Sequence, residues 1–373
     1  MNEKQNAIVT IAIIAAMLLT LTVADLVTED RKFSESENRV LAAKPEFSRD
    51  VLLEGSYTED YETYVTDQFV GRDKWIALKT VVDILLQKKE INGVYLGGDG
   101  YLIEQHLPTD YTEEMEQNRL EQLTELVDRW DAAVMLVPTA DNILRDKMPV
   151  NALYYNQNTF LDKVKEAVGE AHYVDVSRVL QEHCKEEIYY RTDHHWTSLG
   201  AFYGYDAWRL QAGKYPVIRN PERRERVSET FLGTLHSRIN LPMEGEPIEY
   251  FYDTAERPVT VIYDFSVTTD SFYEEKYLTT KNQYGYFLDD NHAFVEVHTS
   301  NRNGKALFVI KDSYANCMIP LLAQHYEKVY VLDLRYFNSR LFPFMEQYEA
   351  EGAMDVLVLY NCIHFLEDFK YVE

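Results

Sequence analysis

Cysteine is scarce. Cys184, Cys317 and Cys362 are the only three in 373 residues, so no disulfide framework is available and one thiol is always left over. Their spacing excludes a zinc knuckle, and their apolar neighbours point to small buried core residues. Basic charge is also short: 37 Lys and Arg stand against 62 Asp and Glu, a formal charge of −25. A surface that negative repels phosphate backbones and anionic lipid headgroups, which excludes nucleic acid as an expected partner. Tryptophan is rare too, with 4 residues beside 28 Tyr and 17 Phe, a bias that suits tyrosines half-buried on strands and also sugar stacking. No repeat of solenoid period occurs. What is plentiful is core-forming material: 46% of residues are hydrophobic and 27% charged, which rules out wholesale disorder.

One long apolar run opens the chain. Ala7–Ala24 reads AIVTIAIIAAMLLTLTVA, uncharged over about 27 Å of helix, close to the thickness of a hydrocarbon core. Lys4 precedes it and Asp25, Glu29 and Asp30 follow, an asymmetry that favours the amino terminus inside and the remainder outside. A cleaved signal peptide competes with an anchor, because Thr22-Val23-Ala24 resembles a small-x-small cleavage site; the length of the run favours an uncleaved anchor. Residues 1–27 are therefore read as a cytoplasmic tip and membrane anchor, with the bulk of the chain exported.

Residues 28–90 read as a polar stalk and helical lead-in, with one helical pattern from Tyr57 to Lys89 carried by Tyr61, Tyr64, Phe69, Trp75, Leu78, Val82 and Leu85. NGVYLGGDGYLI (Asn92–Ile103) predicts a hairpin. Its glycines do not make a phosphate loop, since no Lys-Ser/Thr pair follows and no helix opens there. Beyond it, strand and helix signals alternate. A charged helix spans Thr112–Trp130, buried strands fall at Ala132–Pro138, Ala306–Ile310, Lys328–Leu332 and Asp355–Leu359, and a short strand at His172–Val176. A helix is expected from the end of the Ala306–Ile310 strand to about Tyr326. That alternation predicts a parallel sheet with helices on both faces. Residues 214–300 are rich in Tyr, Thr, Val and Asp and read as a β-rich insertion within a domain spanning 91–373.

Two blocks carry chemistry. In YYRTDHHWTSLGAFYGY (Tyr189–Tyr205), Asp193 stands two residues before His195, and a carboxylate that orients an imidazole makes it a general base. The same block also suits a polar cap with buried histidines, or a metal site using Asp193, His194, His195 and His183, although the spacings of known zinc motifs are missing. In KALFVIKDSYANCMIPLL (Lys305–Leu322), Ser313 follows a buried strand at a strand-to-helix turn. That is the carboxyl edge where open α/β proteins place ligands, and the Ser313 and Tyr314 amides would there face an oxyanion. Asp312 or Ser313 acting only as a helix cap is the plainer alternative. Together the blocks supply a hydroxyl, an imidazole and a carboxylate, the parts of a serine acyl-transfer site.

TDHHW (Thr192–Trp196), IKDSYANC (Ile310–Cys317) and FSESENRVLAAKPEF (Phe33–Phe47), with NGVYLGGDGYLI, resemble the DHHW protein family. That family is similar to the SGNH-hydrolase-like proteins that O-acetylate alginate and other exopolysaccharides. The resemblance implies a circularly permuted SGNH-like three-layer α/β fold, since here the Asp/His block comes first and the Ser block last. It implies Ser313 as nucleophile, His195 as base with His194 the other imidazole available, and Asp193 as its partner. It also implies Asn361 as an oxyanion donor and Asn291, in the DDNH segment, as a further site residue. Trp196 beside His195 favours that histidine as the base. Asp289 and Asp290 replace two glycines of the family's Gly-Gly-Asn-His, which weakens any use of that loop's amides. The implied function is an extracytoplasmic serine O-acetyltransferase or esterase on a cell-surface or secreted polysaccharide, without a cofactor or metal. Its acetyl donor would be relayed by a multi-span membrane acyltransferase. A non-catalytic glycan-binding or assembly protein of the cell envelope is the alternative.

Overall fold

The computed structural model describes residues 3–34, 39–218, 220–252, 257–350 and 352–372. The Glu35–Asn38 part of the FSESENRVLAAKPEF segment, the first two residues of the tip, and residues 219 and 253–256 of the β-rich stretch lie outside the described residues. The chain divides into two compact units, Met1–Lys88 with Ser237–Pro242, and Lys89–His236 with Met243–Glu373.

In the first unit, α1 (Glu3–Val27) is long and apolar enough to cross a membrane and none of its residues is buried. The single helix expected over 57–89 is two, α2 (Ser56–Gln68) and α3 (Arg72–Leu85). Phe69 leaves the first helix at ψ 131, and Gly71, left-handed at φ 67, is the N-cap of the second. The stalk is tied down: buried Asp67 accepts from the Arg39 guanidinium and the Ala42 amide, and the Arg39 hydrogen bonds hold its carboxyl down at about 2.

The second unit is a three-layer α/β sandwich. Its sheet, in spatial order, is β5-β4-β6-β8-β7-β9-β1. In chain order the strands are β1 (Ala133–Val137), β2 (Arg224–Phe231), β3 (Glu246–Phe251), β4 (Val259–Tyr263), β5 (Val267–Thr269), β6 (Phe294–Thr299), β7 (Lys305–Lys311), β8 (Lys328–Asp333) and β9 (Ala353–Asn361), with β2 and β3 pairing as a separate antiparallel ribbon. β7, β8, β9 and β1 are near-continuous apolar runs, the signature of parallel strands covered on both faces. Alternate side chains divide between two cores: Val309, Val331 and Leu359 face one layer, and Ile310, Leu332 and Tyr360 the other.

The expectation of an all-parallel sheet with a β-rich insertion beside it needs correction. β4, β5 and β6 come from residues 259–299 and join the same sheet as antiparallel strands, β6 pairing directly with β8, so the sheet is mixed. The hairpin at Leu96↔Leu102 and the helix Glu113–Trp130, capped by the Thr112 hydroxyl, are as read from sequence. His172–Val176 yields only a single bridge, Val134↔Tyr173. The helix expected after Ser313 is a 3₁₀ turn, Ser313–Ala315, followed by Ile319–Ala323. Pro320 lies in the first turn of that second helix, where its missing N–H costs nothing.

The parallel strands end together. Lys311 pairs with Asp333 on one side and Leu359 on the other, and Asn361 pairs with Val137. This carboxyl edge is where the site assembles.

Candidate active site

The two blocks meet there. Ser313 follows β7 and sits 118 residues from His195 in sequence, yet His195 Nε2 lies 2.7 Å from Ser313 Oγ. His195 Nδ1 is 2.5 Å from Asp193 Oδ1, which also accepts the His195 backbone N–H at 3.0 Å. All three side chains are buried, Ser313 to 6% and His195 to 5% exposure. Serine, imidazole and carboxylate are therefore in line. His194 is not in that line: its Nδ1 pairs with Thr234 Oγ1 at 2.8 Å.

The clasp between the loops explains the residues around them. Trp196 is fully buried, and its Nε1–H donates to the Tyr314 carbonyl at 2.8 Å, while the Tyr314 hydroxyl donates back to the His194 carbonyl. α4 (Ser198–Gln211) leaves room for the indole only because Gly204 has no side chain; a Cβ there would lie 2.8 Å from Trp196.

Three further groups come from the β-rich stretch, where no sequence signal marked them. Thr234 donates both its N–H (2.8 Å) and hydroxyl (3.1 Å) to Asp193 Oδ2. Glu246, opening β3, accepts the Arg191 and Thr192 amides at 2.7 Å each and so fixes the backbone that presents Asp193. Tyr284 stacks on the His195 ring, centroids 3.8 Å apart, and its hydroxyl donates to the Ser313 carbonyl. Three residues of the 214–300 stretch thus hold Asp193 and His195 in place.

Two expected oxyanion donors have other work. The Tyr314 amide donates to Asp312 Oδ1 at 3.0 Å, capping the turn after β7. Asn361 gives its backbone N–H and a side-chain N–H to Asp312 Oδ2 at 3.1 and 2.9 Å, and its carbonyl oxygen caps the helix Cys362–Asp368. Both residues position Asp312. Among the described residues none accepts from the Ser313 backbone N–H. Asn291 is likewise drawn into a separate network. Its amide N–H₂ bonds Asp290, and its carbonyl oxygen faces Arg335 at 3.4 Å and Asn316 at 3.5 Å; Lys311, Asp333 and Arg335 form the buried ion cluster beneath.

His364 is a site neighbour that sequence reasoning missed, although its place three residues after Asn361 was a usable signal. Its Nδ1 lies 2.8 Å from Asp312 Oδ2, and its ring is 5.7 Å from that of His194.

Electrostatics keep the parts distinct. Burial pushes the Asp193 carboxyl up, but the charges of His194 and His195 and the His195 and Thr234 hydrogen bonds outweigh it and hold the group well below the usual carboxylate range. Burial, with His195 beside it, drives His194 down to about 3, so it is neutral at physiological pH. Burial opposes protonation of His364, yet the bond and charge of Asp312 raise it. Asp193, His194 and His195 offer three atoms within 4.8 Å of one another, a set that suits a metal ion. Both His195 nitrogens are committed, Nδ1 to Asp193 and Nε2 to Ser313, and His194 Nδ1 pairs with Thr234, so a metal that used His195 would have to displace one of these contacts.

Gly233 has a strict role. A Cβ there would lie 2.2–2.3 Å from the Asp193 side chain. Gly233→Ala is expected to displace that carboxylate and lower the melting temperature by several degrees, with circular dichroism showing that the chain still folds.

A pH dependence of stability follows from two imidazoles. His194, held at about 3 against about 6.5 unfolded, contributes stability above pH 6.5 that is lost on acidification toward 3. His106 is opposite: burial disfavours its charge, but Asp141 at 3.0 Å and Glu104 raise it to about 10. Its contribution is complete below pH about 6.5 and disappears as pH rises toward 10. Thermal melts across pH are expected to lose part of their acid limb in His194→Gln and part of their alkaline limb in His106→Gln.

The fold is a mixed α/β sandwich whose carboxyl edge aligns a serine, an imidazole and a carboxylate. The chain belongs to the DHHW protein family, whose model matches residues 121–332, more than half its length. A DHHW family protein from Eubacterium siraeum is similar in structure, with 24% identity, 74% of this chain and 93% of that chain covered, and a TM-score of 0.62. Bacillus cereus PatB1, solved with a sulfonyl adduct, is similar at 23% identity, 75% and 100% coverage, and a TM-score of 0.59. A second PatB1 structure matches at 21% identity, 73% and 98% coverage, and 0.58. At these identities the likeness is one of fold. No curated protein matches the chain.

Proposed function

We propose that this protein is a membrane-anchored, extracytoplasmic serine O-acyltransferase or esterase that moves an acetyl group on a cell-surface or secreted polysaccharide. The observation that carries the reading is the line from Asp193 Oδ1 through His195 to Ser313 Oγ, 2.5 and 2.7 Å at its two contacts. His195 Nε2 takes the Ser313 proton as Oγ bonds to the carbonyl carbon of an acetyl ester, and Asp193 stabilises the imidazolium through Nδ1. The Ser313 N–H faces the resulting oxyanion, a contact worth about 3 kcal/mol in such sites. The carbonyl re-forms, the C–O bond to the donor alcohol breaks, and His195 returns the proton to that alcohol, leaving acetyl-Ser313. A sugar hydroxyl then loses its proton to His195 and bonds to the acetyl carbon, the bond from that carbon to Ser313 Oγ breaks, and His195 returns the proton to Oγ; water in place of the sugar gives hydrolysis. Neither half-reaction needs a cofactor.

The sulfonyl adduct named for PatB1 supports a covalent nucleophile in this fold. The order of the blocks, Asp/His first and Ser last, supports a permuted SGNH arrangement. The apolar α1 supports a single span with the second unit outside, where the acetyl donor would be passed on by a multi-span membrane acyltransferase. The test is a sulfonyl fluoride or fluorophosphonate probe applied to the purified protein, followed by peptide mapping. One adduct on Ser313, with loss of ester turnover in proportion, is the expected result. Glycan binding by a protein that neither labels nor turns over ester would establish a non-catalytic binding protein instead.

A further inference from the structure

α3 is built inside out. It turns its polar residues inward: Thr80 is 1% exposed and its hydroxyl donates to the Ile239 carbonyl at 2.6 Å, and Asp83 is 6% exposed, paired with Lys79 and Lys88 at 3.0 and 2.7 Å. Its apolar residues Trp75, Leu78, Val81, Val82 and Leu85 point outward, Leu85 with 76% of its surface open. At 100° per residue these five cover an arc of about 120°, wider than the narrow seam of a two-stranded coiled coil. A globular unit has no reason to bury a threonine and an aspartate while exposing a tryptophan and two leucines.

The position of this face says what covers it. The end of α1 and the start of α3 are joined by hydrogen bonds: the Val70 amide donates to Asp25 at 3.1 Å, Gln68 bonds both the amide and the carbonyl of Arg31, and Arg31 pairs with Asp73 at 2.9 Å. The start of α3 is therefore tied to the residues that directly follow the uncharged run of α1. Charge agrees with the location. Residues 72–88 hold four basic and two acidic side chains in a chain of net −25; Lys79 borders the apolar arc, and Lys74 falls within it at the first turn. Exposed Trp and Leu on one face with a lysine at the margin is the pattern of a helix lying in a bilayer interface.

We propose that α3 lies in the outer headgroup layer of the membrane that α1 crosses, a second, in-plane contact with the lipid surface; it rests on the reading of α1 as a retained span. Such a contact would limit the tilt and rotation that a single anchor leaves free.

The full chain, reconstituted into phosphatidylcholine–phosphatidylglycerol vesicles with bromines high on the acyl chains, provides the test. Trp130, Trp196 and Trp208 are buried in the other unit, so Trp75 is the tryptophan open to a lipid quencher, and Trp75→Phe identifies its share of the emission. Trp75 emission is expected to fall sharply in brominated lipid. The pair Leu78→Glu and Leu85→Glu should abolish that fall while the chain still resists alkaline extraction through α1. The proposal is overturned if Trp75 emission is equal in brominated and plain lipid in a chain that resists extraction. Disulfide-linked dimers of Leu78→Cys would then assign the face to a second copy. A chain that washes off at alkaline pH overturns the span reading itself, and this proposal with it.

Discussion

Ser313→Ala is expected to lower ester turnover by roughly 10⁶-fold, to the level left by binding and the oxyanion donor alone. The variant removes the only atom that forms the bond to the acyl group and leaves its surroundings in place. The 3₁₀ turn after β7 is capped by Asp312 through the Tyr314 amide, Asp312 is held by Asn361 and His364, and the Trp196–Tyr314 clasp does not use the Ser313 hydroxyl. The melting temperature should therefore stay near that of wild type, and covalent labelling by a serine-directed probe should vanish with the turnover. Turnover within tenfold of wild type would mean that another group carries the acyl chemistry.

Asp193→Asn comes second, with an expected loss of about 10⁴-fold in kcat and little change in KM. The carboxylate accepts from His195 Nδ1 and the His195 amide on one oxygen, and from the Thr234 amide and hydroxyl on the other. An asparagine keeps one accepting oxygen and turns an N–H₂ toward the remaining partners. Either the Thr234 side or the His195 side loses its acceptor, and the imidazole no longer presents a bare Nε2 to Ser313. The loss should shrink as pH rises and hydroxide begins to replace the missing base, a profile that a purely structural defect would not produce. Unchanged kcat in a folded variant would sink the role given to Asp193.

The elements were legible to the degree that their signals were local. KALFVIK and DVLVLYN announce buried strands through unbroken apolar runs, and Thr112 announces the start of its helix three residues before the amide it caps. The break between α2 and α3 was hidden because the apolar spacing runs through Gly71 almost in phase, and the backbone turn there changes direction without changing periodicity. The strands within 214–300 were legible as strands but not as members of the main sheet, since β6 reaches β8 across the whole of β7 in sequence.

At the site the same division applies. Ser313, His195, Asp193 and Trp196 lie in two short motifs, and their types suffice to name the chemistry. Thr234, Glu246 and Tyr284 are ordinary residues that acquire a role only through where packing puts them, and Asn361 and the Tyr314 amide donate to Asp312, a partner visible only in three dimensions. By itself the sequence determined an α/β body, an apolar amino-terminal helix, and a serine and an Asp-x-His pair able to work together. The tertiary structure alone decided which imidazole meets the serine, which groups hold the carboxylate, and that α3 shows its apolar side to the outside. Periodicity and motif are properties of neighbours along the chain, whereas hydrogen-bond partners are allotted by proximity in space, and each donor or acceptor goes to whichever buried group packing brings within reach.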